Sequence, residues 1–174
     1  PMDYDMAQAR AGKRVDRRRS LRLRLDRRSA HSSLMAGIRE AEKAGPIDTT
    51  RSALTGLSDG ASSATYALIH SQRFSLALLG TCCDGPEVFS VVGLAYAQAM
   101  ARSGDPSPGS PREGGWHRVS LAMNARRICA RIVVQAADRE ARMALASLLA
   151  LRQHSVDAHM YVFPDEYHVK WQPA

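Results

Sequence analysis

Apolar positions change their spacing several times along this chain, and each change marks a candidate element. From Ser33 to Ala44, Leu34, Met35, Ile38 and Ala41 recur at helical spacing, and Gly45-Pro46 stops that helix. Arg51-Ser-Ala-Leu-Thr-Gly56 is a short run that fits a buried strand, and the small and apolar residues of Ala61–Ser71 read as a helix. Phe74–Leu79 is a second apolar run of strand length, and a helix is predicted around Val91–Arg102. Gly104-Asp-Pro-Ser-Pro-Gly-Ser-Pro111 reads as loop, and Ser120–Ala125 as a helical turn. Arg131–Gln135 is a β-branched strand, Arg139–Gln153 an amphipathic helix, and Ala158–Phe163 a last strand closed by Pro164. Strands alternating with helices predict an α/β fold: a parallel sheet of about four strands flanked by helices. Residues 1–30 lack such periodicity, because Leu21, Leu23 and Leu25 alternate with arginines. The expected organisation is a basic, poorly ordered leader over 1–32 and a folded domain over 33–174.

Composition narrows the class. A chain of 174 residues with 45% apolar residues is one domain long and suited to a packed core. No run reaches the roughly 20 consecutive apolar residues of a membrane helix, and the N-terminus has no signal-sequence pattern. The net charge of +7 is concentrated: residues 1–30 hold ten Lys/Arg against four Asp, whereas the rest is close to balanced. Arginine-rich tracts bind phosphate, but no aromatic lies between Arg10 and Arg28 to stack on a base, so a solvated surface is the expected role. Cys82, Cys83 and Cys129 form an odd set without C-x-x-C spacing, so neither a disulfide framework nor a zinc site is expected. Reduced thiols and a cytoplasmic address follow as expectations.

One pentapeptide changes the picture. Gly56-Leu57-Ser58-Asp59-Gly60 fits G-x-S-x-G, with a predicted strand before it and a small-residue helix after it. That is the strand–turn–helix setting of a nucleophile elbow. The turn forces the serine into strained angles, and side chains at the flanking glycines are expected to collide with strand and helix. The helix N-terminus then turns free N–H groups toward the serine oxygen, and the Asp59 N–H becomes an oxyanion donor. A serine hydroxyl needs a base. Of six histidines, His70 lies in the helix after the elbow, His159 within the last strand, His117 and His154 beside loops, and His31 in the leader. His168 lies in a loop beyond a strand's C-terminal end, where parallel sheets present ligand-facing groups. The acid belongs between serine and histidine in chain order. Asp138, directly after the Ile132–Gln135 strand, satisfies that order, although an Asp at a helix start also serves as an N-cap. Asp165 and Glu166 compete, but they precede His168 too closely to reach its far nitrogen easily. The predicted triad is Ser58, His168 and Asp138, with no metal and no cofactor.

Ile47-Asp48-Thr-Thr-Arg51 running into Gly56–Gly60 resembles the I-D-x-x-R…G-x-S-x-G block of prolyl oligopeptidase family serine peptidases, which have the α/β-hydrolase fold. Tyr161–His168 resembles that family's terminal histidine block. Within the family the chain is most similar to the lasso peptide isopeptidases, through Gly56–His70, Ser120-Leu-Ala-Met-Asn124, Ala137-Asp138 and His168-Val-Lys-Trp-Gln-Pro173. The resemblance covers residues 33–174. It implies a peptidase acting on a peptide substrate, a lasso peptide among the candidates. It also implies a longer enzyme with a β-propeller and an eight-stranded hydrolase domain. On that comparison the chain is expected to be a fragment, beginning at the nucleophile strand, with an exposed sheet edge prone to association and with weak activity. Arg131 stands where the family commonly has proline. The alternative reading is a non-catalytic fragment whose basic leader binds nucleic acid or an acidic partner.

Overall fold

The computed structural model describes residues 17–82, 84–91, 93–103 and 113–171. The Gly104–Pro111 loop and the first sixteen residues of the predicted leader lie outside them.

The first described element is a long helix, α1 (Arg17–Ala44), which ends at the Gly45-Pro46 stop. It starts at Arg17 and not at Ser33, so the expected boundary at 32/33 falls inside a continuous helix. The reason is propensity plus anchoring. Arg, Leu and Ala are strong helix formers and need no apolar stripe of their own to continue a helix. Docking is then supplied by Leu34, Met35 and Ile38, which pack on the core. Polar anchors add to it: Glu42 pairs with Arg73, in the approach to the second strand.

Next come β1 (Ala53–Leu57), α2 (Asp59–His70), β2 (Leu76–Gly80), the short α3 (Val88–Val91) and α4 (Leu94–Ser103). Two 3-10 turns, Glu113–Arg118 and Ala122–Arg127, lead into β3 (Arg131–Ala137), α5 (Ala141–Gln153) and β4 (Ala158–Phe163). The four strands form one parallel sheet in the order β1-β2-β3-β4. The register aligns Leu57 with Gly80, Gly80 with Gln135 and Gln135 with Tyr161, so the residues that follow each strand emerge along one rim.

Because the order is monotonic and crossovers between parallel strands are right-handed, the connecting helices gather on one face of the sheet. Burial along the strands agrees. Ala77, Leu79, Ile132, Val134, Ala136 and Ala158 are buried in a single core with Ala61, Ala64, Leu68, Leu148 and Leu151 of α2 and α5. The alternate positions Leu76, Val133, Gln135 and Tyr161 stay half-buried or exposed. Arg131 begins β3 with its N–H donated to Ser75 O at 2.9 Å, a bond that a proline at this position lacks. Its side chain reaches Asp157, Nε to Oδ2 at 2.5 Å.

Candidate active site

The elbow forms at the end of β1. Ser58 adopts φ 57° and ψ −119°, a conformation that side-chain-bearing residues avoid unless their surroundings enforce it. Two backbone bonds enforce it here: Ser58 N donates to Gly80 O at 3.0 Å, and Ser58 O accepts from Ser62 N at 3.1 Å. The two glycines have different reasons to be present. A Cβ on Gly56 would run into the backbone of Gly60 and Ala61, so strand and helix close only over a glycine. A Cβ on Gly60 would meet open space, which corrects the expectation that both flanking positions are blocked. Asp59 is the first residue of α2, and the first N–H groups of a helix lack intrahelical partners, so its N–H is available to an anion.

At the far side of the rim, His168 Nδ1 lies 2.7 Å from Glu140 Oε1. A carboxylate only accepts, so Nδ1 donates and Nε2 of the neutral ring keeps the lone pair that a general base needs. The other oxygen of Glu140 is also held. Thr81 Oγ1 donates to Oε2 at 2.7 Å, and Lys170 Nζ lies 3.9 Å from the same atom. Lys170 Nζ also donates to Thr81 Oγ1 at 3.3 Å and to His168 O at 3.4 Å. Thr81 is the first residue past β2 and carries a positive φ of 55°, a second strained position on the rim. Its N–H donates to Gln135 O at 2.9 Å, tying the end of β2 to β3.

Asp138 takes no part in this network. It is exposed, and its Oδ1 accepts from the N–H of Arg139 at 2.7 Å. Glu140 is lifted over the rim by a turn closed by its own N–H to Ala137 O at 2.9 Å. Among the described residues, neither Asp138 nor Ser58 Oγ is hydrogen-bonded to the His168 ring. The signal for Glu140 was present in Asp138-Arg139-Glu140, which offers two acids behind one strand. The longer and less exposed of them is the one that reaches the imidazole.

β1 and β4 lie three strand spacings apart, about 14 Å at ~4.8 Å each. The segment after β4 covers most of that gap, since Lys170 reaches Thr81 at the end of β2. Ser58 is bonded to Gly80, the residue before Thr81. Glu166, buried among the loop residues, accepts the N–H of Trp171 on both carboxylate oxygens at 3.0 Å, which folds the His168 loop back on itself. Its carboxylate is thereby committed to shaping the loop.

Other ionisable groups have separate employment. His70 Nε2 donates to Arg118 O at 3.1 Å, and His159 Nε2 pairs with Asp157 at 2.7 Å at the start of β4. The His159 hydrogen bond holds the Asp157 carboxyl below its ordinary value. Cys82 is disulfide-bonded, whereas Cys129 is free and exposed; this corrects the expectation of three reduced thiols. Three cysteines suffice for a single bridge, which odd-count reasoning passed over. Among the described residues no cluster of His, Cys, Asp and Glu could hold a metal ion, and no helix is long and apolar enough to cross a membrane.

No family model matches the chain. Over 138 residues, 79% of its length, it is 36% identical to the lasso peptide isopeptidase AtxE2 of Asticcacaulis excentricus, of which it spans 20%. The fold superposes on the apo AtxE2 isopeptidase with a TM-score of 0.78 at 33% identity, covering 86% of this chain and 23% of that one. It superposes equally on a serine-to-alanine variant of AtxE2 isopeptidase with Astexin3-dC4 bound, with a TM-score of 0.76 and 84% of this chain covered. An acylaminoacyl peptidase of Pyrococcus horikoshii shares the fold at a TM-score of 0.66 and 16% identity, covering 79% of this chain and 23% of that one. The chain thus spans about a fifth of the curated relative it matches.

Proposed function

We propose, for a chain related over 79% of its length to about a fifth of a lasso peptide isopeptidase and sharing the α/β-hydrolase fold of prolyl oligopeptidase-type peptidases, that it carries the acyl-transfer machinery of a serine peptidase. Ser58 is the nucleophile, His168 the general base and acid, and Glu140 the residue that orients His168. This replaces Asp138 with Glu140 as the acid, because Glu140 is the carboxylate at His168 Nδ1.

In the reaction, His168 Nε2 takes the Ser58 proton as Oγ attacks the amide carbonyl. The carbonyl oxygen becomes an oxyanion against the Asp59 N–H at the N-terminus of α2. The imidazolium is stabilised by Glu140 and returns its proton to the leaving amine. Water then hydrolyses the acyl-enzyme by the same steps. Nothing in this sequence needs a cofactor. The observation that carries the reading is the chain of contacts along the rim: Ser58 to Gly80, Thr81 to Glu140, and Glu140 to His168. The substrate is a peptide, and an isopeptide bond of a lasso peptide is the candidate, since the related isopeptidase is named for that substrate. Turnover by the chain alone is slow, because the described residues offer one oxyanion donor, and a missing donor costs about 10²–10³ in rate.

The test is covalent labelling with a fluorophosphonate, read by intact mass, alongside hydrolysis of a lasso peptide and its linear counterpart. One adduct is expected, located on Ser58 and absent in Ser58→Ala. Equal labelling of both proteins would end the reading.

A further inference from the structure

The basic segment has so far been given no work, yet one of its arginines touches the elbow. Arg27 of α1 spreads its guanidinium over the start of α2. Nη1 donates to Asp59 O at 2.9 Å and to Ser63 Oγ at 2.8 Å, and Nη2 reaches Asp59 Oδ1 at 2.5 Å. The arginine side chain is only 17% exposed while that of Asp59 is 80% exposed, so the pair is anchored from the arginine's side. Residues 59 and 63 are one helical turn apart, so a single rigid fork braces the turn that follows the nucleophile.

We propose that Arg27 is a positioning residue for the oxyanion side of the elbow, acting through Asp59. The inference rests on Ser58 being the nucleophile. The Asp59 N–H is the donor that meets the developing oxyanion, and the same residue carries a carboxylate. A negative charge one residue from the nucleophile opposes a second negative charge forming beside it. Arg27 compensates that carboxylate and, by holding the carbonyl as well, leaves Asp59 little freedom to rotate. Asp84 makes the compensation more pressing. It interacts electrostatically with both Arg27 and Asp59, and it is hydrogen-bonded to Ser62. Without Arg27, the nucleophile turn would be left beside an uncompensated Asp59 carboxylate, and Asp84 would lose the guanidinium that favours its charged form.

The test is a double-mutant cycle in the full chain, read as the second-order rate of fluorophosphonate labelling, with circular dichroism confirming the fold of each variant. Arg27→Met is expected to slow labelling about tenfold or more, a fraction of the effect of losing a whole oxyanion donor. In an Asp59→Asn background the same change is expected to cost no more than about threefold, because much of what Arg27 compensates is gone. A purely structural role, in which Arg27 only docks α1, gives the same slowing in both backgrounds and overturns the proposal. So does an unchanged rate for Arg27→Met. If Arg27→Met fails to fold, Arg27→Lys completes the cycle, because it keeps the charge and loses the fork. A wild-type chain that labels no faster than Ser58→Ala removes the nucleophile reading and this proposal together. Labelled wild type with additive variants removes the Arg27 role alone.

Discussion

Asp84 lies half-buried beside the elbow, and desolvation of its carboxyl pushes its pKa above the ordinary 3.8; the Ser62 hydrogen bond and Arg27 oppose the shift. The sign of the consequence follows from linkage. A carboxyl whose folded pKa is raised binds its proton more tightly in the native state, so stability falls as pH rises from 3.8 through the folded value. Asp84→Asn removes the penalty. Thermal midpoints measured against pH are expected to show the wild type losing ground to Asp84→Asn across that window, and parallel profiles would contradict the assignment. At this scale the sequence was legible where chemistry is tied to backbone geometry: Ser58 stands on its strained turn and His168 beyond its strand. The acid was harder to read. Asp138 and Glu140 differ by one turn of loop, and which carboxylate reaches an imidazole depends on side-chain length and on the Glu140 N–H to Ala137 O bond. Neither is visible in a residue pattern.

β1, the elbow and α2 behave as one element because the helix starts directly on the strand. Gly56 and Gly60 look equivalent in G-x-S-x-G and are opposites in space. Gly56→Ala places a methyl group against the Gly60 backbone and is expected to destabilise the chain by about 1–3 kcal/mol, as overpacking does. Gly60→Ala has room and is expected to be neutral, or to stabilise by up to about 1 kcal/mol through helix propensity. Denaturant titration of the two variants separates them, and equal losses would contradict the asymmetry. The strands and the later helices were legible because their apolar spacing is set by burial on one face. α1 was legible only from Ser33. Before that its leucines alternate with arginines, and its docking relies on a polar fork, which leaves no periodic signature.

Across the whole molecule, the described connecting helices pack on one face of the four-stranded sheet, and β1 and β4 are its edge strands. Leu57 and Leu76 are more than a third exposed, and Tyr161 more than half. Parallel sheets ordinarily bury both faces, and unpaired apolar edges associate. The isolated chain is expected to sediment above its monomer mass of 19.0 kDa at micromolar concentrations, and a monomer throughout would contradict that. The α/β class and the parallel sheet of about four strands could be read from alternating elements, but the strand order could not, since it depends on which strands pair in space. The central claim is that the Ser58 hydroxyl and the His168 imidazole act together along one rim, with Glu140 holding the imidazole. It is tested most directly by the fluorophosphonate labelling rate of Ser58 in Glu140→Gln and in Asp138→Asn. The account expects Glu140→Gln to slow labelling by up to about 10⁴, the loss that follows replacement of a triad carboxylate by its amide. It expects Asp138→Asn to stay within about threefold of wild type, as a surface change does. The reverse order, with Asp138→Asn crippled and Glu140→Gln intact, would contradict it.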